Sequence, residues 1–212
     1  HEDDPRVRRQ VELARAGFAE GIPAFGSCWA AQLAVVAAGG RCGPNPKGRE
    51  FGVSRKITVT EEGASHPLFA GRARVFDAFT SHQDEIQSLP PGARWLATNA
   101  FTRIQAVSVE HERGRFWAVQ YHPEYDLHEI ARLGQVRTPA LVEQGSFADA
   151  QQAAAWVADL EALHADAGRS DLCFRYGLDD DVLDAGRRMT ELVNWLEHEA
   201  RPRARARQGG AA

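Results

Sequence analysis

Cys28 and the triplet His122-Pro123-Glu124 together offer a sulfur nucleophile, an imidazole base and a carboxylate able to orient that base. Those are the parts required for covalent attack on a carbonyl carbon. The run from Ile22 to Gln32 is a short apolar stretch that passes through Gly26 and Ser27 into Cys28 and on into alanine-rich sequence, the layout of a nucleophile elbow. At such a bend the sulfur projects from the carboxyl edge of a sheet with a helix amino terminus beneath it, so the helix dipole and its unpaired N–H groups are expected to favour thiolate. A second apolar run, Phe116 to Tyr121, is expected to deliver His122 and Glu124 to the same edge.

The elements that must hold these groups in place follow from periodicity. Between Asp4 and Gly21, Val7, Val11, Ala14 and Phe18 recur at helical spacing, with Asp4 as cap and Pro5 in the first turn. A strand over 22–26 and a helix over 28–38, ended by Gly39-Gly40, complete half of an alternating α/β unit, which predicts a parallel sheet. Short β-type runs follow at 51–60, 74–80, 94–98, 104–110 and 116–121, with turns at Pro90-Pro91-Gly92 and Glu112-Arg113-Gly114, so this block mixes sheet extension with hairpins. After Glu124 the pattern turns helical to about residue 200. Stretches 125–133, 147–166 and 180–199 carry the spacing, the last through Val182, Ala185, Met189, Leu192, Val193 and Leu196. Trp156 and Trp195 are read as anchors of this helical end, and Asp179-Asp180-Asp181 as a cap. No internal repeat is present.

With 212 residues, 43% of them hydrophobic and 25% charged, the chain can bury one sizeable core. A net charge of −4 gives no electrostatic case for nucleic acid or an anionic membrane. The basic concentration at Arg201-Pro202-Arg203-Ala204-Arg205-Ala206-Arg207 reads as a flexible solvated tail. Cys28, Cys42 and Cys173 are too scattered for a disulfide framework or a zinc pattern, which suits a reducing cytoplasm; no metal and no cofactor are expected. No apolar run approaches the roughly 20 residues that span a bilayer, and no signal-peptide pattern is visible.

Gly26-Ser27-Cys28-Trp29-Ala30-Ala31-Gln32 resembles the G-x-C-x-G-x-Q elbow of class I, triad-type glutamine amidotransferases, and His122-Pro123-Glu124 resembles their H-P-E triplet. Glu50-Phe51-Gly52, His66 to Gly71, Ser81-His82-Gln83-Asp84-Glu85 and Ile104-Gln105-Ala106 are similar to the same family, in its stand-alone branch akin to the amidotransferase domain of GMP synthase. The likeness runs from about Asp3 to Glu124. It implies a flavodoxin-like three-layer α/β sandwich with a mostly parallel central sheet over residues 1–134, followed by a helical extension over 135–200 and a flexible basic tail over 201–212.

The same likeness implies hydrolysis of the glutamine side-chain amide to glutamate and ammonia through a cysteinyl thioester. Cys28 is then the nucleophile, His122 the base, Glu124 its orienting partner and the backbone N–H of Trp29 one oxyanion donor. Gln32, one turn past the nucleophile, and Ser81 and His82 are implied to contact or position substrate; packing and a solvated loop are the alternatives for them. Ala30 stands where the family has glycine, a change expected to be tolerated. The chain opens with His1, and the family's glycine-rich oxyanion loop and first strands are expected to lie upstream of it.

About 88 residues after Glu124 cannot house a synthetase, so ammonia would go to an acceptor on a separate synthetase chain or be released. The helical end has three open assignments: a cover for the site, a homodimer interface, or a dock for the synthetase. Two other functions compete, a γ-glutamyl peptide or amide hydrolase using the same Cys28, His122 and Glu124, and a non-catalytic binding protein that kept the fold.

Overall fold

The structure, a computed structural model, describes residues 4–204. Its first helix, α1 (Pro5–Ala19), is started by Asp4, whose carboxylate accepts the Arg6 N–H at 2.8 Å, with proline in the first turn where no backbone donor is needed. The chain then enters β1 (Pro23–Ser27), turns sharply at Cys28 and continues as α2 (Trp29–Ala37). Next come β2 (Arg41–Pro44), β3 (Glu50–Val59), the short α3 (Glu61–Ala64), β4 (Val75–His82), β5 (Asp84–Ser88), β6 (Ala93–Thr98), β7 (Ala106–His111) and β8 (Gly114–Val119).

Six of these strands form one sheet in the order β1-β8-β7-β6-β3-β4, while β2 and β5 pair separately and antiparallel. The expectation of a mostly parallel sheet needs correction. β1 and β8 run parallel, but β8/β7, β7/β6, β6/β3 and β3/β4 are antiparallel. For two of these pairs the connections explain it: parallel neighbours need a long crossover, whereas the tight Glu112-Arg113 turn between β7 and β8 and the Asn99–Gln105 link between β6 and β7 can only fold the chain back on itself. The parallel character survives in β1 and β8, the strands that lead into Cys28 and His122.

Alternation along β8 builds the layers. Ala118 packs with Val11, Phe18, Ala31 and Val35 of α1 and α2 on one face, while Trp117 and Val119 pack with Leu68, Phe76 and Tyr121 on the other. Helices therefore cover both faces of a curled sheet, the α/β frame expected. The Ala30 methyl is accommodated because residue 26 has no side chain; a Cβ there would lie 2.4 Å from the Ala30 Cβ.

After Glu124 the chain forms α4 (Leu127–Glu143), α5 (Ala150–Ala165), α6 (Ser170–Tyr176), α7 (Asp180–Leu183), α8 (Ala185–Arg188) and α9 (Thr190–Trp195), with a π-helical turn over Leu196–Ala200. Asp126 and Glu129 close a capping box on α4, which runs well beyond the expected stop at 133 and through the expected boundary at 134/135. Gly134 lets α5 approach, since a Cβ there would meet the Trp156 ring at 2.6 Å. The single helix expected over 180–199 is instead broken. Asp184 both ends α7 and caps α8 by accepting the Arg187 N–H at 2.8 Å, the competition with backbone that makes aspartate a poor interior residue.

The break changes which residues face inward. Val193 and Leu196 are exposed, while Glu191 is fully buried, accepting the Tyr121 hydroxyl at 3.0 Å beside Arg72 at 3.4 Å. Burial holds the Glu191 carboxyl above its ordinary value despite that guanidinium. Trp195 packs on Phe25 and Trp156 on Phe51, so both tryptophans tie the helical end to the sheet. Of the basic tail, 201–204 continue as helix, and the rest lies outside the described residues.

Candidate active site at the β1 and β8 edge

Pairing of β1 with β8 fixes Ser27 opposite Val119, and the Cys28 N–H then donates to the Val119 carbonyl at 2.8 Å. Cys28 is held at φ 50°, the left-handed region that a β-carbon disfavours. That strained bend lets β1 pass into α2 without a loop. The Trp29 N–H is aimed back at the sulfur, and its indole donates to Gln10 of α1 at 2.6 Å.

Three residues past β8, the His122 N–H donates to the Phe79 carbonyl at 2.8 Å, which fixes where the imidazole stands. Its Nδ1 lies 2.7 Å from Glu124 Oε1, and the same oxygen accepts the Ser27 hydroxyl at 2.8 Å. One carboxylate oxygen thus joins the cysteine elbow to the histidine triplet, although 97 positions separate Ser27 from Glu124 in the chain. Tyr125 stacks on the His122 ring, centroids 3.9 Å apart and planes 2° from parallel. With Nδ1 donating to Glu124, a neutral ring presents Nε2 as an acceptor.

The thiol itself departs from expectation. Burial pushes Cys28 up to about 11 from 9.0, and Glu124 adds to this, while the Trp29 N–H, Arg137 and Arg49 oppose it without prevailing. The helix terminus does favour thiolate, but desolvation outweighs it, so the resting sulfur is a thiol. Its acceptor is the Ser81 carbonyl, 3.9 Å away, rather than the imidazole. Glu124 shows the reverse balance. Burial raises its carboxyl, yet the His122 and Ser27 hydrogen bonds and the histidine charge together hold it below the ordinary value.

Ser81 stands at the thiol, buried, with its hydroxyl accepting from Arg137 of α4 at 2.6 Å. Gln32 and His82 face elsewhere. The Gln32 amide donates to the Asp84 carbonyl at 3.0 Å and to Gln120 at 3.2 Å, as a packed buried amide does. His82 turns into a closed polar network, with Nε2 at 2.9 Å from Glu50 and Nδ1 at 2.9 Å from the Asp84 carbonyl. Glu50 also accepts from Ser54, Asn99, Thr102 and Gln105; burial raises its carboxyl, but the hydrogen bonds from His82, Ser54 and Asn99 and the His82 charge hold it at about 2. Sequence reasoning missed Ser27, Arg49, Tyr125 and Arg137. Ser27 carried a usable signal, a hydroxyl directly before the elbow cysteine; the others depend on how remote segments dock. Among the described residues no cluster of His, Cys, Asp or Glu could hold a metal ion, and no helix is long and apolar enough to cross a membrane.

A strained cysteine after a strand, preceded by a serine that shares one carboxylate with a downstream histidine, occurs in a chain whose residues 3–132 match the family model for class-I glutamine amidotransferases. The chain belongs to that family. It is 36% identical over 214 residues to a gamma-glutamyl-L-1-hydroxyisopropylamide hydrolase from a Pseudomonas species, a likeness covering 99% of this chain and 72% of the hydrolase. It is 39% identical over 104 residues to a glutamine-hydrolysing GMP synthase from Thermomicrobium roseum, covering 49% of this chain and 18% of that protein. Among solved structures, a glutamine amidotransferase from Thermotoga maritima superposes with a TM-score of 0.59 at 17% identity, over 76% of this chain and 64% of that one, a likeness of fold. The amidotransferase match thus stops inside α4, whereas the hydrolase likeness continues through the helical end.

Proposed function

We propose that this amidotransferase-family protein hydrolyses γ-glutamyl amides, with Cys28 as nucleophile, His122 as general base and acid, and Glu124 as the group that orients the imidazole. The observation that carries the reading is the shared Glu124 oxygen, 2.7 Å from His122 Nδ1 and 2.8 Å from the Ser27 hydroxyl. That oxygen bonds both the imidazole and the serine that directly precedes the elbow cysteine, which supports a shared role for the two segments. As the sulfur attacks the amide carbon, its proton passes to His122 Nε2, which matters for a thiol raised to about 11. The tetrahedral oxyanion takes the Trp29 N–H, His122 then protonates the departing amine, and water hydrolyses the thioester to glutamate. Glu124 keeps Nδ1 protonated and stabilises the imidazolium.

Glutamine is the simplest such amide, and ammonia passed to a separate synthetase chain is the second reading, favoured by the GMP synthase relative. The alkylamide reading takes precedence because the hydrolase likeness extends over 99% of this chain and that of the synthase over 49%. Incubating the protein with L-glutamine and with γ-glutamyl ethylamide, and measuring ammonia and ethylamine, separates the two. Ethylamine release that exceeds ammonia release and is lost in Cys28→Ser supports the first reading. Ammonia release alone supports the second, and neither product refutes both.

A further inference from the structure

Two guanidinium groups lie close enough to the thiol to act on it, and among the described residues neither has a carboxylate within ion-pair distance, although the charge of Asp84 reaches Arg49. Arg137, on α4 beyond the segment matched by the family model, donates through Nη1 to the Ser81 hydroxyl at 2.6 Å, and the carbonyl of that same serine is the thiol's acceptor at 3.9 Å. Arg49, just before β3, donates to Gln83 at 3.1 Å and to Gln144 at 2.9 Å. Both are partly buried, and every one of these bonds ends on a neutral oxygen. Arginines elsewhere divide: Arg55 pairs with Asp77 at 2.8 Å and Arg175 with Asp159 at 2.7 Å, while Arg15 and Arg188 also donate to neutral carbonyls, so what sets Arg49 and Arg137 apart is their place at the thiol. Among the described residues, Arg49 and Arg137 form no ion pair. Burial, and then the charge of Arg137, lower the Arg49 value, with Cys28 and Asp84 opposing them.

Two half-desolvated like charges beside a reactive sulfur are costly until an anion arrives between them. We propose that Arg137, assisted by Arg49, binds the α-carboxylate of the substrate, which restricts the site to γ-glutamyl compounds whose α-carboxylate is free. In a γ-glutamyl group four C–C bonds, about 5 Å in extended form, separate the scissile carbonyl from the α-carboxylate, and Ser81, whose carbonyl meets the thiol and whose hydroxyl meets Arg137, lies between the two groups. A planar guanidinium suits a carboxylate in two-point contact, which an α-amide or α-ester cannot reproduce. Glutamine side chains inside a polypeptide, having no free α-carboxylate, are thereby excluded. The inference deepens the proposed hydrolase reading and rests on it for the position of the scissile bond.

The test compares γ-glutamyl ethylamide with its α-carboxamide analogue, using the full chain and kcat/KM for ethylamine release. The unaltered protein should prefer the carboxylate substrate by about a hundredfold or more. Arg137→Gln should cut that ratio at least about tenfold, mainly through KM, with Arg137→Lys restoring part of it. A ratio unchanged in Arg137→Gln, or equal losses for both compounds, would overturn the inference, since a residue that only braces Ser81 cannot distinguish them. If Arg137→Gln does not fold, Arg137→Lys and Arg49→Gln carry the same ratio. Binding of γ-glutamyl ethylamide to Cys28→Ser by calorimetry separates this inference from the reaction. Binding weakened by Arg137→Gln without hydrolysis in any form would sink the hydrolase reading and leave the carboxylate site standing; binding indifferent to Arg137, or none at all, would sink the site.

Discussion

His122–Glu124 and His82–Glu50 are contacts of nearly equal length, 2.7 and 2.9 Å, set in opposite surroundings. The Glu124 side chain is 43% exposed, and His122 Nε2 has no hydrogen-bond partner among the described residues. His82 and Glu50 are 1% and 6% exposed, both ring nitrogens of His82 are occupied, and Glu50 has four further donors. A histidine–carboxylate pair can move a proton only if one ring nitrogen is left for a substrate or a nucleophile. Where every lone pair and proton is satisfied, the pair fastens segments together instead. Here it clamps β3, β4 and the Asn99–Gln105 link behind the site.

That contrast can be broken most sharply by exchanging each histidine for glutamine. His122→Gln should lower kcat for γ-glutamyl ethylamide by about a thousandfold or more with little change in thermal stability, as amine-release kinetics and a melting curve would show. His82→Gln should leave most of the turnover per folded molecule; equal kinetic losses in the two variants would erase the distinction.

Next in size is Glu50→Gln, which leaves a buried histidine without its charge partner. It should cost about 3 kcal/mol or more in denaturant unfolding. Glu124→Gln, at a far more exposed position, should cost much less stability and far more activity.

Acid should act on the two pairs unequally. The Glu50 carboxyl lies at about 2 in the folded protein against an ordinary 4.5, so its contribution to stability is fully present above about pH 4.5 and is lost as pH falls toward 2. Acid unfolding should therefore steepen across that window, and Glu50→Gln should flatten it. The thiol gives a companion profile. With Cys28 raised to about 11 from 9.0, iodoacetamide labelling should rise with pH beyond the midpoint of an ordinary cysteine, and a midpoint below 9 would contradict the burial argument.

The smallest effect expected is that of Ser27→Ala, which removes one of the two hydrogen bonds to Glu124 Oε1. A loss of about tenfold in kcat/KM fits a group that helps fix the carboxylate.

How much of this was legible beforehand depended on how locally each feature is determined. The elbow could be read because Gly26, Cys28 and the alanines that follow fix a strand, a bend and a helix within a few residues. His122 and Glu124 could be read because β8 delivers them directly. The fate of His82 could not, since β3/β4 register places it opposite Glu50, 32 residues earlier, and only the folded sheet supplies that partner. Arg137 was invisible for a similar reason: it points at Ser81 because Gly134 lets α4 seat against Trp156. The thiol differs from the expectation because the helix dipole is a local property and desolvation a global one. The sheet's direction differs from the expectation because the α/β unit at the start gives way to a block of hairpins.

The proposed reaction requires that the substrate acylate the Cys28 sulfur. Mixing the protein with γ-glutamyl ethylamide, quenching rapidly in acid and mapping peptides by mass spectrometry tests it directly. A γ-glutamyl adduct on the peptide carrying Cys28, formed by the unaltered protein and absent in Cys28→Ser together with ethylamine release, is the predicted result. Ethylamine released at an undiminished rate by Cys28→Ser would contradict it.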